Sequence, residues 1–256
     1  MKKRLCPILM GLCGLLAFTL SAGQASAQTQ EVNAKPPLYS YVSNWQFPRS
    51  SWPALAKSHS TIGAILDKAL ADGTIIGYGT DKNIVLQPDA ITHDTWWSSM
   101  SLAGLVRVQE QIAATAGNTS PVLYSATKHW DSIYVSHYYN WNSGYYYDAC
   151  THVSVYKFKE GAPEGALNTL AQNLIVPVLE KQLADGVILG YQIDTLAIHT
   201  EAPGTFWVVY ITLSPEGLDT VEQAIHDSPE ALEAFADMTD NTSRRDELMK
   251  SDAIYK

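Results

Sequence analysis

The chain has 256 residues, a formal charge of −9 and 46% hydrophobic residues. An acidic chain without a basic stripe repels phosphate backbones, which excludes nucleic acid as a natural partner. Of three cysteines, Cys6 and Cys13 sit near the start, so Cys150 alone serves the rest and neither a disulfide nor a thiolate metal site can be built there.

The N-terminus reads as an export signal. Lys2, Lys3 and Arg4 form a charged region, residues 5–20 are largely apolar, and Ala25-Ser26-Ala27 has the small-x-small cleavage pattern. Cleavage near Ala27 is expected to deliver a secreted or periplasmic protein. Its formal charge falls to −12, because three cations and no acids leave. No second apolar run is long enough to cross a bilayer, so no membrane partner is expected after cleavage.

Residues 28–37 are polar with a Pro pair and read as a disordered lead-in. Residues 38–47 alternate with period two, Tyr39, Tyr41, Ser43, Trp45 and Phe47 on one face and Ser40, Val42, Asn44 and Gln46 on the other. Ser50 or Ser51 can cap a helix with Pro53 in its first turn, and Leu55, His59, Ile62, Leu66 and Ala69 give it a buried stripe. Short strands are predicted near 76–78 and 95–100. Ser101 then opens a helix with Leu102, Leu105, Val108 and Ile112 inward, and a strand follows over 133–139. The same order returns: a strand over 151–158, a helix over 164–184, strands over 187–193 and 206–213, and a helix from Ser214-Pro215. Pro177 should kink the 164–184 helix and free a carbonyl.

A repeat explains that order. Residues 66–78 return at 179–191, offset by 113, with 9 of 13 positions identical. Each copy ends a helix on Asp-Gly and starts an aliphatic strand. The correspondence spreads outward, and at the last strand the offset becomes 115, His129 to Ile133 matching Arg244 to Leu248. Each unit reads strand, helix, strand, strand, helix, strand, a split βαβ arrangement with one sheet face bare.

In this repeat order and its helix–Asp-Gly–strand pattern, the chain resembles the dimeric α/β-barrel (ferredoxin-like) superfamily in tandem-fused form. The resemblance implies an α+β fold: two βαββαβ repeats packed sheet to sheet as a pseudo-two-fold barrel with a cavity between or within the sheets. The organisation expected is a signal peptide over 1–27, the lead-in over 28–37, a first repeat over 38–140, an aromatic connector over 141–150 and a second repeat over 151–256. The superfamily includes small monooxygenases, isomerases, haem-handling proteins and stress proteins without known chemistry, and fold does not fix function.

If Val42 looks toward the helices, Tyr41, Ser43, Trp45 and Phe47 turn inward, and His152, Ser154, Tyr156 and Phe158 take the matching places. Tyr78 pairs by symmetry with Tyr191, and Trp97 with Trp207. Tyr41, Trp45, Tyr78, Trp97, Tyr156, Tyr191 and Trp207 are therefore the candidate ligand-binding residues, suited to a planar or amphipathic organic molecule. The alternative is that these rings simply fill the barrel. His152 is the candidate general base, and the loop pairs His93/Asp94 and His199/Glu201 could form orienting carboxylate–imidazole contacts. Metal-binding, phosphate-loop and nucleophile-elbow motifs are absent, so no cofactor is implied, although a single axial His leaves haem open. The aromatic run from Tyr138 to Tyr147 reads as a strap between halves, or as a lid or a sugar- or partner-binding strip. Three functions follow: a binder of a small organic ligand, a cofactor-free monooxygenase or isomerase using a cavity histidine, or an interaction scaffold with a filled barrel.

Overall fold

The computed structural model describes residues 35–58, 60–115, 121–201 and 203–256. The signal segment, most of the lead-in and His59 lie outside the described residues. Eight strands form one closed antiparallel barrel: β1 (Leu38–Gln46), β2 (Gly77–Asn83), β3 (His93–Ser99), β4 (Lys128–Trp141), β5 (Gly144–Lys157), β6 (Ile188–Leu196), β7 (Thr205–Thr212) and β8 (Arg245–Tyr255). Around the circle their order is β1-β3-β2-β8-β5-β7-β6-β4. Within the first half the neighbours run β4-β1-β3-β2, and within the second β8-β5-β7-β6, the same order with every strand number raised by four. The halves meet edge to edge, through β2–β8 and β4–β6, rather than lying face to face. Closure leaves no unpaired strand edge.

Helices cover the outer surface of each half. The first carries α1 (Trp52–Ser58), α2 (Ser60–Ala71) and α3 (Leu102–Thr115). The second carries α4 (Ala166–Leu170), α5 (Val176–Ala184), α6 (Pro215–His226) and α7 (Pro229–Met238). No described helix is long and apolar enough to cross a membrane. α4 and α5 are joined by one π-helical stretch, Ala171–Ile175, which ends just ahead of Pro177. Proline has no N–H to give the preceding turn, so the ladder widens there, where the first half has Ala64.

Two cores lie between barrel and helices. In the first half Tyr41, Leu66, Leu70, Trp97, Leu105 and Val108 pack together; in the second, Leu170, Leu179, Tyr191, Phe206, Val208 and Tyr210 do. The repeat is retained down to single hydrogen bonds. Tyr78 donates to Asp67 at 2.5 Å and Tyr191 donates to Glu180 at 2.6 Å, each across a sheet–helix junction.

From β1 and β6 the barrel's inner face takes small and polar residues, Ser40, Val42 and Asn44 and then Gln192 and Asp194, while Trp96, Tyr134 and Trp207 enter it from β3, β4 and β7. This reverses the expected assignment of the β1 faces. Tyr41 looks outward into the helix layer, and so does its counterpart His152. The reason is volume: with the rings of Trp96, Tyr134 and Trp207 already inside, a space only just wide enough for side chains takes small ones from β1, whereas helix on sheet takes bulky apolar rings. Room inside is so tight that Gly79 has no side chain where Trp96 passes; a Cβ there would stand 2.6 Å from the indole.

The connector between halves is almost wholly strand, with Asn142 and Ser143 alone between β4 and β5. β4 and β5 are not neighbours, so the chain crosses one end of the barrel. There Trp141 stacks on Tyr255, and Trp96 and Tyr146 pack with them, closing that end. Tyr145 and Tyr147 point to solvent.

Candidate active site

Of the seven rings expected to line a shared interior, Trp207 alone projects its side chain into the barrel, edge-on to Tyr134 at 5.0 Å. Trp97 does not mirror it. Tyr41 and Tyr78 both stand opposite Trp97, while His152 and Tyr191 both stand opposite Tyr210. Tyr210 is therefore the counterpart of Trp97, and Trp207 occupies the place held by Asp94 in the first half. Tyr41, Tyr78, Trp97 and Tyr191 are parts of the outer cores. Trp45 stacks on His129 at 3.7 Å along an outer cavity of about 800 Å³ beneath the first-half helices.

The first of the histidine pairs separates as well. His93 opens β3 and turns outward toward Trp52, while Asp94, the next residue, turns into the barrel. Adjacent strand residues point to opposite faces, so this pair cannot form. His199 and Glu201 lie exposed between β6 and β7, and Glu201 borders the open barrel mouth.

His152 lines the second outer cavity, about 460 Å³, between β5/β7 and helices α5 to α7. Its apolar wall comes from Leu174, Ile175, Val178, Ile225, Leu232 and Phe235. The π-helical stretch contributes Leu174 and Ile175. Its polar end is built from strand residues. Tyr210 lies 5.0 Å from the imidazole and donates to Glu222 at 3.3 Å. The Arg244 guanidinium lies over the Tyr156 ring at 5.5 Å and is held by Asp246, which also accepts from Ser154 at 2.7 Å. His152 Nδ1 is buried without a hydrogen-bond partner. Burial lowers the imidazole pKa, with the Arg244 charge acting in the same direction and the Asp246 and Glu222 charges against it. A neutral imidazole with a free ring nitrogen can accept a proton, and Arg244 stands by to receive a developing anion. Tyr156 and Tyr210 are pushed up by burial and stay protonated donors.

Cys150 is buried within β5. Among the described residues no group of three His, Cys, Asp or Glu side chains lies close enough to hold a metal ion.

No family model matches the chain, and no curated protein does. Solved structures do. A protein assigned as a monooxygenase from Lactobacillus acidophilus NCFM superposes with a TM-score of 0.60 at 8% identity, covering 85% of this chain and 94% of that one. An anthrone oxidase-like protein gives 0.54 at 10%, covering 86% and 93%. Chlorite dismutase from Candidatus Nitrospira defluvii, in complex with imidazole, gives 0.52 at 11%, covering 87% and 94%. These are dimeric α/β-barrel proteins, and at such identities the likeness is one of fold.

Proposed function

We propose that the chain is two fused ferredoxin-like repeats, exported from the cell, and that it binds a planar or amphipathic organic molecule in the cavity beneath the second-half helices. The observation that carries this reading is His152, which lines an apolar chamber and whose buried Nδ1 has no partner among the described residues. An organic guest with one acidic or hydrogen-bonding edge would meet His152 and Arg244 there, with its body against Phe235 and Ile225. The charged and then apolar start supports export, and an intact mass lacking residues 1–27 would check it.

A second reading makes this site an enzyme. The names of the structural neighbours and the neutral His152 favour a cofactor-free monooxygenase. His152 would remove a proton from an acidic C–H or O–H of the guest, and the resulting anion would react with dioxygen. Anthrone is a suitable probe, since it is flat, is acidified by its carbonyl, and with one dioxygen gives anthraquinone and water. Titration of the protein with anthrone under nitrogen is expected to show one bound molecule. His152→Gln should lower any oxygen uptake at least a hundredfold, within the range typical of losing a general base, while changing affinity less. Because the imidazole pKa lies below its ordinary value, the rate should be flat through neutrality and fall only at acid pH. Absence of anthrone binding, with a panel of planar phenols equally silent, would overturn the binding reading; binding without oxygen uptake would overturn only the enzymatic one.

A further inference from the structure

The barrel interior is a separate chamber of about 300 Å³, and its chemistry differs from both outer cavities. Besides Glu201 and Glu247 it is lined by three buried aspartates, Asp81 on β2, Asp94 on β3 and Asp194 on β6, each at most 5% exposed. Asp81 and Asp194 are repeat counterparts at the 113 offset, and each faces a serine: Asp81 stands opposite Ser251, and Asp194 opposite Ser136. Asp81 is well supplied, since Ser251 and Trp96 donate to it and it shares a hydrogen bond with Asp94. Asp94 Oδ1 and Asp194 Oδ1 have no partner. Each half of the barrel thus holds, on an aspartate that lines the chamber, one buried oxygen that no described residue satisfies, an arrangement costing on the order of 1–3 kcal/mol per group if left dry.

We propose that this chamber binds an aliphatic diamine, one ammonium group on Asp94 and the other on Asp194, with the methylene chain against Trp96, Tyr134 and Trp207. Three arguments select this class. Once its proton leaves, each unpartnered carboxyl is an acceptor only, so the guest that displaces the proton must donate. There are two of them, one per half, so a single ammonium would leave one orphaned. The walls between are aromatic faces, which attract cations and cover methylenes. A metal ion fits poorly, because the described carboxyls do not converge on one point. The end lined by Trp141 and Tyr255 is plugged, and the opposite mouth is bordered by Trp130, Glu201 and Arg245, the last paired with Glu247 at 3.6 Å. Acidic groups at that mouth draw a cation inward.

The free chamber carries protons. Burial raises the pKa of all three aspartates; for Asp94 the neighbouring Asp81 and Glu247 charges add to it, and Asp194 is pushed up to about 7. A diammonium guest would therefore displace protons near neutral pH.

Calorimetric titration of the full chain with 1,4-diaminobutane near pH 7 tests this. Saturable one-to-one binding is expected, with butylamine about tenfold or more weaker and 1,4-butanediol silent. Heats measured in phosphate and in Tris should differ, reporting proton release. Asp194→Asn, isosteric with the protonated acid and not expected to lower the melting temperature, should reduce diamine affinity to the butylamine level. No binding in the millimolar range, equal binding of the diol, displacement by magnesium, or unchanged affinity in Asp194→Asn would each overturn the assignment. The outer cavity and His152 play no part, so His152→Gln should bind the diamine as the parent does.

Discussion

Trp97→Ala is expected to destabilise the protein by about 3–5 kcal/mol, the range for emptying a fully buried aromatic site. The indole is 1% exposed, stacks on Tyr41 with centroids 4.4 Å apart, and donates Nε1–H to the Leu105 carbonyl at 3.4 Å. It joins β1, β2, β3 and α3, so its loss opens a cavity that the closed barrel cannot collapse to fill. The sheet below is fixed by hydrogen bonds on both sides of β3. Trp97→Phe should cost much less, because it retains most of the ring contact and gives up one long hydrogen bond. Urea denaturation of both variants measures this. A loss below 1 kcal/mol for Trp97→Ala would show that this ring faces a space already open, and that the first-half core is held elsewhere.

That Trp97 belongs to a core rather than a binding site was half visible in the sequence. The repeat at 113 correctly aligned Tyr78 with Tyr191, but continued strictly it aligns Trp97 with Tyr210, and pairing it with Trp207 departed from the offset. The eight strands were legible because their alternation and the Asp-Gly helix ends are local. Which face of β1 points inward was not, because Tyr41 and Val42 are both apolar enough for either side. The choice is settled by the area each side must cover, a property of the closed barrel rather than of nine residues. His152 was singled out for its titration range, and it does line a cavity, but the helix-covered one. The barrel carboxyls carry a signal in the sequence: Asp81 and Asp194 stand at the repeat offset, as do Ser136 and Ser251 at the 115 of the last strand. An acid kept in both copies at an inward position of a strand is costly unless it is used or neutralised.

Neutralisation has a measurable consequence, and its sign is fixed. Burial raises the Asp194 pKa to about 7, with Ser136 opposing, against an ordinary value near 4 in the unfolded chain. The folded state then holds a proton that the unfolded state has released, so stability falls as pH rises from about 4 to about 7 and stays low above that. A span of about three pH units at 1.36 kcal/mol each corresponds to roughly 4 kcal/mol, of which roughly 3 kcal/mol would be lost between pH 5 and pH 8. Asp81 and Asp94 act in the same direction, as does Glu247, while His152, with its lowered pKa, opposes them at acid pH. The whole curve is a sum, so the informative quantity is a difference. Asp194→Asn should match the parent near pH 5 and become the more stable of the two by pH 8, since the amide replaces a protonated acid at no charge cost. Tyr134, Glu201 and Arg245 also face the chamber and are common to both proteins, so they cancel. Melting curves of parent and variant across that pH range provide the check. Parallel curves would mean that Asp194 ionises as freely as an exposed acid and that water reaches it, in which case the chamber is no dry, proton-holding space.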